Sequence, residues 1–61
     1  MKKISGIITT LNEERNIEAS IRSLQQVCDE VVVVDSESTD RTREIAQAAG
    51  SLVYIQPYLG D

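Results

Sequence analysis

The 61-residue sequence contains no histidine, phenylalanine or tryptophan, and only one cysteine and one proline. Without histidine there is no imidazole to complete a metal site or a nucleophile–base pair. The single cysteine, Cys28, excludes an internal disulfide framework and the usual zinc spacings, and it reads as a small apolar residue rather than a reactive thiol. Two tyrosines are the only aromatics, so the core falls to Ile, Val, Leu and Ala, and small cores of that kind supply only about 3–5 kcal/mol. Basic residues are few and dispersed, six against ten acids for a net charge of -4. That excludes sequence-independent nucleic-acid binding, which needs a clustered basic surface. No long apolar run is present: the segment from Ile4 to Leu11 is too short and too polar to span a membrane, and no small-residue cleavage pattern follows Lys2 and Lys3. A cytoplasmic location is the expectation.

The length allows one domain, and a domain of this size buries only about 60% of the surface of its unfolded chain. A partner or a further stretch of chain is therefore expected. The sequence stops at Tyr58-Leu59-Gly60-Asp61, just after a strand-like run and without a closing helix, which reads as a fragment of a longer protein.

What is present centres on Glu30-Val31-Val32-Val33-Val34-Asp35-Ser36-Glu37-Ser38-Thr39-Asp40-Arg41-Thr42. The unbroken valine run suits a strand covered on both faces, as in parallel sheets flanked by helices. Its acid and the hydroxyl-rich turn would then lie beyond the strand's carboxyl end, where ligands sit in such sheets.

Taken in order, Lys3 to Thr10 reads as a first strand. Asn12 is a good N-cap, with Glu13 and Glu14 placed at the positive end of the helix that should start there. Ile17, Ile21, Leu24 and Cys28 recur at spacings of one helical face, and Glu18 and Arg22 form an i,i+4 pair of favourable orientation. That helix ends at Val27-Cys28-Asp29. Beyond Asp35, Ser38 or Thr39 can cap a second helix with Thr42, Ile45, Ala46 and Ala49 facing inward, closed by Gly50 in a left-handed conformation. Ser51 to Gln56 reads as a third strand halted by Pro57. The order β-α-β-α-β predicts an α/β fold: a parallel three-stranded sheet of order 3-2-1 with helices on its faces, a mononucleotide-binding half-domain in outline.

Two loops should share the carboxyl rim: Thr9 to Glu14 and Asp35 to Asp40. Neither is a phosphate cradle, since GxGxxG and GxxxxGK[ST] are both missing and both loops are acidic. Carboxylates and hydroxyls suit a ribose or the N–H groups of a base. Asp35 reads equally as a ligand group or as a brace for its turn. Glu13, Glu14 and Asp40 read as helix-dipole partners, and Tyr54 and Tyr58 as packing residues.

The ordered pair Thr10-Leu11-Asn12-Glu13-Glu14 and Val34-Asp35-Ser36-Glu37-Ser38-Thr39-Asp40-Arg41-Thr42 resembles the start of a family-2 inverting glycosyltransferase of GT-A fold. It is similar in particular to the bacterial branch related to lipopolysaccharide-core β-1,4-glucosyltransferases. The resemblance covers essentially the whole chain, which would form residues 1–61 of a partial nucleotide-sugar-binding domain. In that family the first loop, usually PxYNE, and the second, usually DDGSxD, hold the nucleoside of a nucleotide-sugar. The resemblance therefore implies nucleotide-binding roles for Thr9, Leu11, Glu13, Asp35 and Ser36. Three departures are visible: Leu11 stands at the aromatic position, Ser36 at the second acid, and Glu37 at a glycine that eases a tight turn.

The same resemblance places the DxD metal motif and the catalytic base beyond Asp61, so no catalytic residue is assigned here and the fragment by itself is expected to be inactive. It implies a full-length hexosyltransferase using Mg or Mn, a UDP-sugar donor foremost, and a cell-envelope glycolipid or polysaccharide acceptor. Glucose is the transferred sugar it favours. That enzyme would be cytoplasmic and peripheral to the inner membrane, its base deprotonating the acceptor while the metal stabilises the leaving diphosphate. The alternative reading is a non-enzymatic α/β interaction or ion-binding module. Receiver domains fit poorly, for want of paired acids after the first strand. An isolated chain is expected to self-associate through an exposed sheet edge or face.

Overall fold

The structure, a computed structural model, describes residues 3–57. Strand β1 (Ser5–Thr10) is followed by helix α1 (Ile17–Gln25), strand β2 (Glu30–Asp35), helix α2 (Thr42–Ala48) and strand β3 (Leu52–Ile55). The three strands are parallel in the order β1-β2-β3, the arrangement expected when each crossover is right-handed and consecutive strands are neighbours. Register pairs Ser5 with Glu30 through to Thr10 with Asp35, and Val32 with Leu52 through to Asp35 with Ile55. The ends of β1 and β2 therefore deliver Thr10 and Asp35 side by side.

Strand alternation decides what is buried. Val31, Val33 and Asp35 point under the helices, where the two valines meet Ile17 and Ile21 of α1 and Ala46 of α2; Leu24, Ile45, Ala49, Ile8 and Val53 pack around them. Both helices occupy this one face and touch each other. The Gln25 amide donates to the Ala49 carbonyl at 2.8 Å, tying the end of α1 to the end of α2. Gly6 sits where α1 comes closest to the sheet: a Cβ there would lie 3.0 Å from Cys28 Sγ and 3.2 Å from Leu24 Cδ1.

The opposite face differs from the two-sided cover expected of the valine run. Val32 and Val34 are only half-buried, and among the described residues Ile7, Leu52 and Tyr54 beside them are 69%, 50% and 58% exposed. Among the described residues α1 and α2 cover one face of the sheet, and the other face, equally apolar, is left open. Tyr54 accordingly does not pack against the core, and Tyr58 lies outside the described residues.

Two helix starts also differ from expectation. Asn12 is not the cap of α1; it holds a left-handed φ of 54°, and a turn carrying Asn16 and Ile17 amides on the Glu13 carbonyl leads into the helix. Neither Ser38 nor Thr39 caps α2. The N-cap is Arg41, with no side-chain cap bond; Asp40, one residue earlier, braces the turn into the helix by accepting the Thr42 amide at 2.9 Å. Gly50 ends α2 as expected, at φ 94°, with the Ser51 hydroxyl donating to the Ala46 carbonyl at 2.7 Å. The Glu18–Arg22 pair forms at 2.8 Å on the exposed side of α1.

Candidate functional site at the carboxyl rim

Beyond β1 and β2 the two loops form one hydrogen-bonded body. Asp35 is 0% exposed at its centre. One carboxylate oxygen accepts from the hydroxyls of Thr10 and Ser38, both at 2.6 Å, and the other from the Ser38 amide at 2.7 Å, with Arg43 Nε 3.8 Å away. Burial pushes this carboxyl up. The Ser38 hydroxyl, the Thr10 hydroxyl, the Ser38 amide and the Arg43 charge outweigh it and hold the pKa below the ordinary 3.8.

Three successive amides of the first loop then turn onto side chains of the second. Asn12 N–H donates to Ser38 Oγ at 2.8 Å, Glu13 N–H to Thr42 Oγ1 at 2.8 Å, and Glu14 N–H to Asp40 at 3.3 Å. Since each hydroxyl accepts from an amide, its own proton is free to go to a carboxylate: Ser38 to Asp35, Thr42 to Asp40. The Asp40 carboxyl is held below 3.8, first by the Thr42 hydroxyl against the opposing effect of desolvation, then by the amides of Thr42 and Glu14. In return, Asn12 Oδ1 accepts the Thr39 amide at 2.8 Å. With these amides used internally, the first loop cannot act as an anion nest for phosphate, in keeping with its acidic composition.

Of the five residues assigned from the sequence, Thr9 is exposed on the open face of the sheet, opposite Val34. Leu11 follows it at 48% exposure, and Ser36 is half-buried with its amide on the Thr10 carbonyl at 2.9 Å. Glu13 is exposed on the other side of the loop, lining a depression of about 420 Å³ with Asn12, Glu14, Arg15, Asn16 and Asp40. Asp35 stands apart, beneath the rim on the helix side with both oxygens occupied. Thr10, Ser38, Thr42 and Arg43 went unassigned. Their signal was available in part: the parity of β2 puts Asp35 on the buried face of Val31 and Val33, and an Asp three residues before a Ser is a turn that closes on its own carboxylate.

Among the described residues no three His, Cys, Asp or Glu converge to hold a metal ion. The buried acid is already saturated by donors, and Asp40 takes three. These residues do not fit a metal site.

Fold and rim together define a parallel α/β unit that presents its polar loops at the carboxyl ends of its strands, where such sheets take ligands. The chain belongs to glycosyl transferase family 2, whose model it matches over residues 5–57. It is 52% identical over 59 residues to an uncharacterized glycosyltransferase of Rickettsia bellii, covering 97% of this chain and 20% of the relative. It is 41% identical over 59 residues to the 4,4'-diaponeurosporenoate glycosyltransferase of Staphylococcus haemolyticus, covering 93% of this chain and 16% of that one. Among solved structures it superposes on glucosyl-3-phosphoglycerate synthase of Mycobacterium tuberculosis in complex with Mn2+ and UDP-glucose. The TM-score is 0.78 at 40% identity, over 88% of this chain and 21% of that one. The three parallel strands and two helices thus match the GT-A fold of glycosyltransferases, and the chain spans about a fifth of the length of the relatives it matches.

Proposed function

We propose that this chain is the donor-nucleotide-binding portion of a glycosyltransferase that uses a UDP-sugar, with glucose as the transferred sugar. The observation that carries the reading is the joined two-loop rim, in a chain 40% identical to a synthase that binds UDP-glucose. Thr9, Leu11 and Ser36, toward the open face of the sheet, and Glu13, across the first loop from them, are the residues proposed to meet the nucleoside. Asp35 is proposed to act from beneath, through the loops it joins. Ser36 can accept from a base or ribose with its hydroxyl, while Leu11 offers an aliphatic surface in place of an aromatic one.

The proposed acceptor is a cell-envelope glycolipid or polysaccharide, following the likeness to lipopolysaccharide-core glucosyltransferases. The synthase neighbour, also solved with phosphoglyceric acid, favours a small phosphorylated acid as the second reading. The Mg or Mn ligands and the catalytic base are proposed to lie outside these residues. A place at the inner membrane, as a peripheral protein, goes with the first acceptor; among the described residues no helix is long and apolar enough to cross a membrane.

Calorimetry on the full-length gene product with Mn2+ tests the donor. UDP-glucose should bind and GDP-sugars should not; failure of every UDP-sugar would refute the reading. Transfer from radiolabelled UDP-glucose, offered in parallel to envelope lipid extract and to phosphoglyceric acid, separates the two acceptors.

A further inference from the structure

We propose that Ser38 and Thr42 are positioning residues: their hydroxyls form a double clasp that holds the first loop in its nucleotide-binding conformation. The inference rests on the donor-binding reading above and concerns how that site is kept in shape. Two relays run in parallel. In one, the Asn12 amide donates to the Ser38 hydroxyl, which donates to the Asp35 carboxylate. In the other, the Glu13 amide donates to the Thr42 hydroxyl, which donates to the Asp40 carboxylate. Ser38 is 3% exposed and Thr42 0%, so water does not compete at either hydroxyl.

The geometry has a specific consequence for the rim. Asn12 is left-handed, and its position between Leu11 and Glu13 sets where both of those side chains go. Neither Leu11 nor Glu13 has a helix or strand of its own to hold it; the clasp amides are at Asn12 and Glu13. A carboxylate at the end of each relay strengthens the hydroxyl as an acceptor, because the hydroxyl's proton is drawn toward the charge. Opening the clasp leaves the nucleoside to bind only the fraction of molecules with the loop in place, and the apparent affinity falls by that fraction.

The test compares Thr42→Val, which keeps the shape and removes the hydroxyl, with Thr42→Ser, which keeps the hydroxyl, in the full-length gene product. Asp40→Ala is the companion variant, since it unties the same relay from a half-buried position. Amide hydrogen exchange at Glu13 should quicken about tenfold in Thr42→Val, the equivalent of one hydrogen bond left unmade, and stay near wild type in Thr42→Ser. UDP affinity in the presence of Mn2+ should drop at least severalfold in Thr42→Val and Asp40→Ala and return to within about twofold in Thr42→Ser. Unchanged exchange, or unchanged affinity in folded Thr42→Val and Asp40→Ala, overturns the clasp. If wild type itself fails to bind UDP, the donor reading falls, and the exchange data alone decide whether the clasp stands.

Discussion

Glu37 should be replaceable by glycine with a gain in stability. Its φ of 59° lies in the left-handed region, and it is exposed between Ser36 and Ser38 in the turn that closes on Asp35. An L-residue held there sits roughly 1–2 kcal/mol above its ordinary conformations, because Cβ crowds the following carbonyl. Glycine escapes that penalty but adds about 0.5–1 kcal/mol of unfolded-chain entropy. The difference of the mid-range values leaves Glu37→Gly more stable by about 0.7 kcal/mol. Glu37→Ala is the control: it removes the same charge but retains the Cβ, so it should show no comparable gain. Urea titrations of the three proteins, with m-values checked for constancy, measure the effect. Equal stabilities of the Gly and Ala variants would refute the backbone account of this turn.

Three further outcomes are expected. Asp35→Asn, measured in the full-length gene product, should lose about 2–4 kcal/mol at pH 7, where the carboxylate accepts all its donors. Because the folded pKa is lowered, the wild-type advantage is present above 3.8 and fades as pH falls from there through the folded value. Urea titrations at pH 7 and pH 3 should show the gap narrowing, and an equal gap at both would contradict the assignment. Gly6→Ala should cost about 1–2 kcal/mol by overpacking against Cys28 and Leu24. The double variant with Cys28→Ala should cost less than the two singles summed, as measured by thermal denaturation. The isolated chain should self-associate through Ile7, Leu52 and Tyr54 on the open sheet face, and Ile7→Lys should weaken that association. Sedimentation showing wild type monomeric at all concentrations would count against it.

The order of strands and helices was legible because each is marked locally: the valine run, the spacing of Ile17, Ile21 and Leu24, and Gly50 at the end of α2. The open face was not, since Val32 and Val34 are as apolar as Val31 and Val33, and composition does not say which pair a helix covers. Asn12 shows a second limit. Its short polar side chain suits both an N-cap and a left-handed loop position, and the partner that decides, Thr39, is 27 residues away in sequence. Ser38 was misplaced for the same reason: its capping propensity is used on Asp35 and the Asn12 amide rather than on a helix. Asp35 was legible as the centre of the rim; its burial beneath the rim, with donors on both oxygens, depends on Thr10 and Ser38 and was not legible from residue type.

The location of the nucleoside can be read directly by NMR. In the full-length gene product titrated with UDP, the amides of Thr9, Leu11, Glu13 and Ser36 should show the largest saturable shifts in this region, with smaller changes along α1 and β3. Saturable UDP binding that leaves those four amides unmoved would contradict the account.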